Sequence, residues 1–193
     1  MLDVTEMLLA MRLSSELRLI EVAREADVVV QTIYYHFGSF GRLIAEAQMS
    51  AYLRIIEPTR QYLAIAEVAI AECNEEAYWK AIGDDIERLW SFRGSGDEWR
   101  ISKLLIDVVS DPHVRLEFRA LLDVQFERWI NVVEAGQRRG WVNAEMDPSV
   151  LVAFGWAATN GQEILSNTTM VRYTARGIRD FWLQVGRVKK VET

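Results

Sequence analysis

Apolar residues recur at three- and four-residue intervals along nearly the whole chain, and this helical period restricts the possible folds more than any other feature. Residues 4–12 and 19–26 each carry such a stripe, and residues 29–37 follow after a two-residue break. No stretch alternates apolar and polar residues as a half-buried strand does, and only three prolines interrupt the 193 residues. The sequence therefore predicts an all-α protein of about nine helices, the first three short. The first stripe consists of Val4, Met7, Leu8 and Met11.

Residues that favour helix ends separate the predicted elements. Ser39 can cap a long helix, and Asn74 can cap the next one. Asp-Pro pairs at 111–112 and 147–148 each place an N-cap acid before a proline at the first helical position. Gly140 provides a natural stop for the helix that starts at the first of these pairs. The C-terminal half is therefore expected to contain one long helix followed by two shorter ones.

Composition and charge exclude several classes of protein. The long uncharged stretch at residues 149–162 is too short and too polar to span a membrane. The chain begins without a signal-peptide pattern. Cys73 is the only cysteine, so an intrachain disulfide is impossible and a cytoplasmic location is expected. The formal net charge of −6 argues against a general polyanion binder.

The stretch VVVQTIYYHFGSF, residues 28–40, combines aromatic and neutral polar side chains without a single charge. Two short helices joined by a tight turn at Asp27, with a third helix before them, are the elements of a helix-turn-helix. Ala23 is small enough to let the two helices cross closely, while Val22 and Ile33 are expected in their shared core. The second helix would then present neutral hydrogen-bonding side chains outward, which can contact bases or phosphates.

This part of the sequence resembles the TetR family of transcriptional regulators. The resemblance covers residues 20–47, IEVAREADVVVQTIYYHFGSFGRLIAEA, and its most specific part is TIYYHF at 32–37. It implies a DNA-binding domain at residues 1–47 and a ligand-binding and dimerisation domain at residues 48–193. The implied partners are a double-stranded DNA operator, a small-molecule effector and a second copy of the chain. The residues expected to contact DNA are Arg18, Gln31, Thr32, Tyr34, Tyr35, His36 and Arg42.

The charge of the first 50 residues departs from what this resemblance implies. They contain four arginines, no lysine and seven acidic residues, which gives a formal charge of −3. Val30 and Phe40 stand where the family usually has basic residues. Because phosphate neutralisation supplies much of the affinity for DNA, the sequence predicts modest binding. The alternative is a TetR-like ligand-binding or protein-interaction module with weak or lost DNA binding.

Aromatic residues in the C-terminal half together suggest a cavity for an apolar or aromatic effector, although for any one of them alone an ordinary core position is the better interpretation. Two amides on otherwise apolar faces could orient a ligand or bond to the backbone or to a dimer partner. The candidate ligand-binding residues are Trp99, Gln125, Phe126, Trp129, Trp156 and Asn160.

The last two predicted helices carry a mixed stripe of small and large apolar residues, which is typical of closely packed helices. Exposed on a monomer, this stripe would be larger than soluble monomers usually tolerate, so it predicts a homodimer interface. The candidate interface residues are Phe154, Ala157, Ala158, Gly161, Leu165, Ile178, Phe181, Trp182 and Val185.

No catalytic, metal or cofactor site is predicted. His36 and His113 are far apart in sequence, and no Cys or His cluster has metal-ligand spacing. Cys73 is expected to have no nearby basic group that would make it a reactive thiolate, so a redox switch is not predicted. An unrelated helical enzyme is disfavoured because no acid–base or nucleophile set is visible.

Overall fold

The computed structural model describes residues 1–91, 104, 107–108, 112–166 and 173–188; at 113 and 162–166 it describes the backbone alone. In these residues there are eight α-helices, one short 3-10 helix at Ser14–Glu16, and no strand beyond an isolated bridge between Val142 and Arg187. The prediction of an all-α protein is confirmed. The helices are α1 (Leu2–Met11), α2 (Leu19–Glu25), α3 (Val30–Phe37), α4 (Phe40–Ala71), α5 (Glu75–Ser91), α6 (Pro112–Arg138), α7 (Pro148–Ser166) and α8 (Ala175–Gly186).

Within the described parts of the chain, no helix is both long enough and apolar enough to cross a membrane.

Three of the four predicted helix starts have the expected hydrogen bonds, and the fourth, at Asp111, lies outside the described residues. Ser39 Oγ accepts from Arg42 N at 3.1 Å at the start of α4, and Asn74 Oδ1 accepts from Ala77 N at 3.0 Å at the start of α5. Asp147 Oδ1 accepts from Ser149 N at 2.7 Å at the start of α7. These side chains satisfy amide groups that a helix leaves without a partner at its first turn.

The first of two compact units comprises the described residues of Met1–Ile56 and Gly96–Leu122. Its core brings α1, α2, α3 and the start of α4 together around residues with no exposed surface, Val22, Ile33 and Leu43. The stripe predicted for α1 is partly wrong, because Leu8 is buried while Met7 and Met11 are exposed. The buried face of α1 is rotated from the prediction and consists of Thr5, Leu8 and Leu9.

The second unit comprises the described residues of Glu57–Ser95 and Asp123–Thr193. In its core, Tyr78 is fully buried and lies against Gly136, where an added Cβ would come within 2.8 Å of the Tyr78 hydroxyl oxygen. The other buried members of this core are Leu63, Ala66, Ala69, Trp79, Ala81, Val132 and Val142. The predicted domain boundary between residues 47 and 48 remains a prediction.

A buried ionic cluster joins α4 to α5 within the second unit. Asp85 accepts a hydrogen bond from Thr59 Oγ1 at 3.0 Å and from Arg88 Nη2 at 2.8 Å. Burial raises the pKa of the Asp85 carboxyl group, although Arg88 acts in the opposite direction. Hydrogen bonds thus link Thr59 of α4 to both Asp85 and Arg88 of α5.

Candidate nucleic-acid interface

The turn between α2 and α3 has the geometry that the sequence predicts. Asp27 adopts a left-handed conformation with φ 52°, which Asp tolerates better than most residues. Val28 N then donates to Ala23 O at 2.9 Å and closes the end of α2. Ala23 is buried between the helices, so the chain reverses direction without a large side chain in the way.

The helix α3 has one buried face and one face open to solvent. Ile33 has no exposed surface, and Val30 and Phe37 pack against the same core. The opposite face carries polar and aromatic side chains, among which Tyr35 is 86% exposed. Gln31, Tyr34 and His36 are exposed as well, and Thr32 is half-buried. Five of the seven residues predicted to contact DNA therefore lie on one short helix that the core holds in place.

Neutral groups supply most of the hydrogen-bonding capacity of this surface. An amide, a hydroxyl, two phenols and an imidazole can each donate to a phosphate or bond to a base edge. The rings of Tyr35 and His36 meet edge to face, with centroids 5.1 Å apart.

Ion pairs already hold three of the four arginines in the first 50 residues. Arg12 Nη2 lies 2.7 Å from Glu21 Oε1, and Arg24 Nη2 lies 3.1 Å from Glu25 Oε1. The hydrogen bond between Arg12 and Glu21 raises the pKa of the arginine and lowers the pKa of the glutamate. A phosphate group must therefore compete with a carboxylate for each of these cations.

The two cations predicted to contact DNA, Arg18 and Arg42, differ in whether a carboxylate already pairs with them. Arg42 is exposed, but its Nε lies 3.0 Å from Glu46 Oε1 one turn along α4. Arg18 is exposed at the start of α2, and it has no ion-pair partner among the described residues. Arg18 is therefore the cation of this surface that is most available to a phosphate.

Two exposed apolar residues near the candidate interface were not predicted from the sequence. Ile20 in the first turn of α2 and Val29 at the N-cap of α3 are both largely exposed. Their position off the apolar stripe of α2 and α3 is the signal that could have identified them, since residues off the stripe face solvent. Their methyl groups add apolar surface beside the polar face of α3.

The residues predicted to bind an effector lie in the second unit where they are described, and Trp99 lies outside the described residues. The rings of Phe126 and Trp156 meet edge to face at 5.9 Å. Asn160 Nδ2 donates to Trp156 O at 2.7 Å, so the backbone is one partner of this amide. Trp129 packs against the core of the second unit, and Gln125 is half-buried. A ligand-binding role for these residues stays a prediction.

The residues predicted to form the dimer interface leave large apolar groups at the surface of α7 and α8. Phe154 is 60% exposed and Phe181 is 53% exposed. The centroid of the Trp182 ring lies 5.5 Å from that of Phe154 and 6.0 Å from that of Phe181. The side chain of Leu165 lies outside the described part of the chain. The smaller or less exposed members are Ala157, which is exposed, and Ala158, Gly161, Ile178 and Val185, which are half-buried.

Among the described residues, no group of three or more His, Cys, Asp or Glu side chains is arranged to hold a metal ion.

Comparisons with known proteins relate this architecture to solved structures. No protein-family profile matches the chain, and no curated protein matches its sequence. A proposed TetR-family transcriptional regulator from Mesorhizobium loti MAFF303099 superposes with a TM-score of 0.67 at 14% identity, over 97% of this chain and 95% of its own. A proposed TetR-family regulator from Vibrio parahaemolyticus gives 0.60 at 17% identity, over 97% and 96%.

A third solved structure extends the similarity to a protein that carries a small molecule. It is a proposed transcriptional regulator from Saccharomonospora viridis in complex with choline, with a TM-score of 0.60 at 16% identity, over 95% of this chain and 91% of its own. All three similarities span both units, including the helix-turn-helix. The chain therefore has the fold of the TetR-family transcriptional regulators.

Proposed function

We propose that this protein is a DNA-binding transcriptional regulator of the TetR type. The observation that carries the proposal is the solvent-facing side of α3, where Gln31, Tyr34, Tyr35 and His36 are exposed above a helix anchored by Ile33. Exposure to solvent alone does not account for this combination of aromatic and hydrogen-bonding side chains on a surface helix. A helix that enters the major groove does, because it must reach base edges and sugar–phosphate groups together.

Neutral hydrogen bonds carry the specific part of binding in this proposal. Gln31 can bond to two atoms of an adenine edge, and Tyr35 can pack its ring on sugars or thymine methyl groups. Arg18 supplies a charge-assisted phosphate contact, and Arg42 does so after releasing Glu46. The expected outcome is sequence-dependent binding of modest strength with a shallow salt dependence.

Regulation follows from dimerisation and an effector. We propose a homodimer through α7 and α8, which would present two α3 helices to two half-sites about one helical turn of DNA apart. A small apolar or aromatic effector would bind in the second unit and change that spacing, and so release the protein from its operator. The choline complex of the Saccharomonospora viridis protein supports the idea that this fold accepts small molecules. The protein would act as a repressor in the cytoplasm.

The second candidate function is a TetR-like ligand-binding or protein-interaction module that has lost most DNA affinity. The ion pairs that occupy Arg12, Arg24 and Arg42 favour it. The acidic balance of the first 50 residues favours it too, because seven carboxylates repel a polyanion.

A binding experiment at low salt separates the two candidates. Fluorescence anisotropy would measure the affinity of the full chain for labelled duplexes that tile the DNA upstream of its own gene, with a scrambled duplex as competitor. Under the regulator proposal one duplex binds at least about tenfold more tightly than the scrambled one, since specific sites exceed non-specific ones by far more than this. Equal and weak binding of all duplexes would support the second candidate.

Two substitutions test which surface is responsible. Gln31→Ala should weaken binding to the preferred duplex and leave binding to the scrambled duplex unchanged, because the amide reads a base and neutralises no phosphate. Gln61→Ala makes the same change at an exposed position of α4 in the second unit and should have no effect on either duplex. Equal losses for the two variants would contradict the assignment of α3.

A further inference from the structure

The first unit contains a cavity that neither the predicted effector site nor the DNA-binding surface includes. It lies between α1 and α4, has a volume of about 570 Å³, and is lined on its third side by Leu104 and Asp107. This volume is in the range of pockets that hold small organic molecules. The apolar part of its lining includes Met7, Met11, Ala47, Ala51, Tyr52 and Ile55.

The two methionines at the rim of the cavity, Met7 and Met11, are more exposed than residues of a hydrophobic core. Met7 is 51% exposed and Met11 is 63% exposed, and the two side chains follow each other one turn apart on α1. Flexible thioether side chains adapt to the shape of an apolar ligand. The rim therefore offers an apolar surface that a guest could cover.

Hydrogen-bond acceptors without a donor lie next to this apolar surface. The Glu6 side chain lines the cavity and is only 9% exposed, and the Gln48 side chain lines it from α4 and is also buried. Within the described part of the chain, neither Glu6 Oε1 nor Gln48 Oε1 receives a hydrogen bond. A buried acceptor in this state is costly, so a ligand that brings donors to these side chains gains free energy.

The charges around the cavity favour a cation over an anion. Three carboxyl groups, those of Asp3, Glu6 and Asp107, line it together with the guanidinium groups of Arg12 and Arg54. Both guanidinium groups are engaged, Arg12 by Glu21 outside the lining and Arg54 by Glu6. An incoming anion would have to displace a carboxylate from each guanidinium group, whereas an incoming cation meets the Asp3 carboxylate and the Oε1 atom of Glu6, which accepts no hydrogen bond from a described residue.

Asp3 and Glu6 are placed to share one cation. They are three residues apart on α1, so their side chains project from the same side of the helix. Asp3 is exposed at the mouth of the cavity, and it has no hydrogen bond or ion pair with any described residue other than those its backbone makes in the helix.

We propose that this cavity binds a small amphiphilic amine in its protonated form. The ammonium group lies between the carboxylates of Asp3 and Glu6, and the apolar part lies along Met7, Met11 and Ile55. Three N–H donors of a primary ammonium match the acceptors of Glu6 and Gln48, which a hydroxyl group or a carboxylate cannot do as well. The site does not depend on the proposed DNA-binding function.

A series of three probes of equal length tests the chemical class. Isothermal titration calorimetry of the full chain at neutral pH would compare hexylammonium, 1-hexanol and hexanoate. We expect hexylammonium to bind about three- to tenfold more tightly than 1-hexanol, since a charge-assisted hydrogen bond is the added interaction, and hexanoate to bind most weakly. Equal affinities for the three probes, tighter binding of hexanoate, or no binding of any of them would overturn the proposal.

Substitutions locate the site. Ala51→Phe fills the cavity and should abolish binding of hexylammonium and 1-hexanol alike, while Ala64→Phe, an exposed position of the same helix, should leave both unchanged. Asp3→Asn should weaken hexylammonium about three- to tenfold and leave 1-hexanol unchanged. If Ala51→Phe does not fold, Met11→Lys at the exposed rim places a like charge beside the ammonium group and should weaken hexylammonium more than 1-hexanol, which loses only the apolar contact with Met11. Hexylammonium binding that survives both Asp3→Asn and Met11→Lys would rule out this cavity.

Discussion

At the scale of the residue, Ile33 and Tyr35 lie two positions apart on α3 but have opposite surroundings, and this contrast leads to a prediction about stability. Ile33 is fully buried in the core of the first unit, whereas Tyr35 is 86% exposed. We expect Ile33→Ala to lower the free energy of unfolding by about 2–5 kcal/mol, since it removes buried methylene groups and leaves a cavity. Tyr35→Ala should change it by about 0.5 kcal/mol or less.

Urea unfolding followed by circular dichroism, at one protein concentration for all variants, measures both values. A loss for Tyr35→Ala as large as that for Ile33→Ala would show that Tyr35 is part of the core and would remove it from the candidate interface.

Glu46 is expected to limit DNA binding because its carboxylate occupies Arg42. Glu46→Gln removes the competing charge, so affinity for any duplex should rise. The slope of log affinity against log salt should become steeper by up to about 0.9 for each added phosphate contact. Anisotropy titrations at several salt concentrations measure the slope. Glu57→Gln is the matched control, because Glu57 pairs with Arg60 on the same helix but in the second unit. An equal change in the control would mean that net charge alone is responsible.

Residue-level contacts are the part that the sequence predicted least well. The pairing of Arg12 with Glu21 spans nine positions and two helices, and it becomes visible only once the fold places them together. Cys73 is a clearer case: Arg139 Nη1 lies 2.6 Å from its Sγ although the two residues are 66 positions apart. The expectation that Cys73 has no basic neighbour was therefore wrong in space, although it is correct along the sequence.

At the scale of the element, helix ends were predictable because their chemistry is local. The caps at Ser39, Asn74 and Asp147 each involve hydrogen bonds to residues two or three positions away, so sequence spacing determines them. The stop after α6 is local in the same sense, since Gly140 adopts φ 72°. The face that α1 buries was not predictable in this way, because Met7 and Leu8 are both apolar and only packing decides between them.

Close packing of α5 against α6 within the second unit leads to a prediction about the effect of glycine substitutions on stability. A Cβ at Gly136 would lie 2.7 Å from Val142 Cγ2 and 2.8 Å from the Tyr78 hydroxyl oxygen. Gly136→Ala should therefore lower the free energy of unfolding by about 1–3 kcal/mol, as overpacking of a well-filled core does. At Gly155 on α7 an added Cβ meets nothing within 4 Å, so Gly155→Ala should raise it by up to about 1 kcal/mol through helix propensity.

Thermal and urea denaturation of the two variants beside the unmodified chain would decide this. Stabilisation by Gly136→Ala would mean that Tyr78 and Val142 move apart readily, and that the core of the second unit is looser than its geometry indicates.

At the scale of the whole molecule, helical period and turn residues were sufficient to predict the fold class, because an all-α chain has no long-range strand pairing to resolve. The motif at residues 32–37 identified the helix-turn-helix within it. The cavity between α1 and α4 could not be predicted, since it depends on which side of α1 faces α4 and on the distance between the two helices. Leu9 and Ala47 belong both to its lining and to the core of the first unit, so sequence alone does not show which apolar residues face the cavity.

The exposed apolar surface of α7 and α8 leads to a prediction about the oligomeric state of the protein. Phe154 and Phe181 are both largely exposed, and both rings contact Trp182. The three side chains therefore form one exposed apolar patch and are not isolated apolar residues at the surface. We expect a homodimer at micromolar concentration, with an interface of order 2,000 Å². Phe154→Glu would bury a charge at its centre and should raise the dimer dissociation constant about 30-fold or more, the effect of losing a residue that dominates an interface.

The control for this prediction is an apolar residue of similar exposure on another helix. Ile65 on α4 is 50% exposed, so Ile65→Glu makes the same chemical change outside the proposed interface. Sedimentation equilibrium should show a dimer for the unmodified chain and for Ile65→Glu, and a monomer for Phe154→Glu, while circular dichroism shows all three folded. A monomeric unmodified chain would refute the homodimer. Dissociation by Ile65→Glu instead of Phe154→Glu would move the interface to α4, and the spacing of the two α3 helices would then have to be set by that helix.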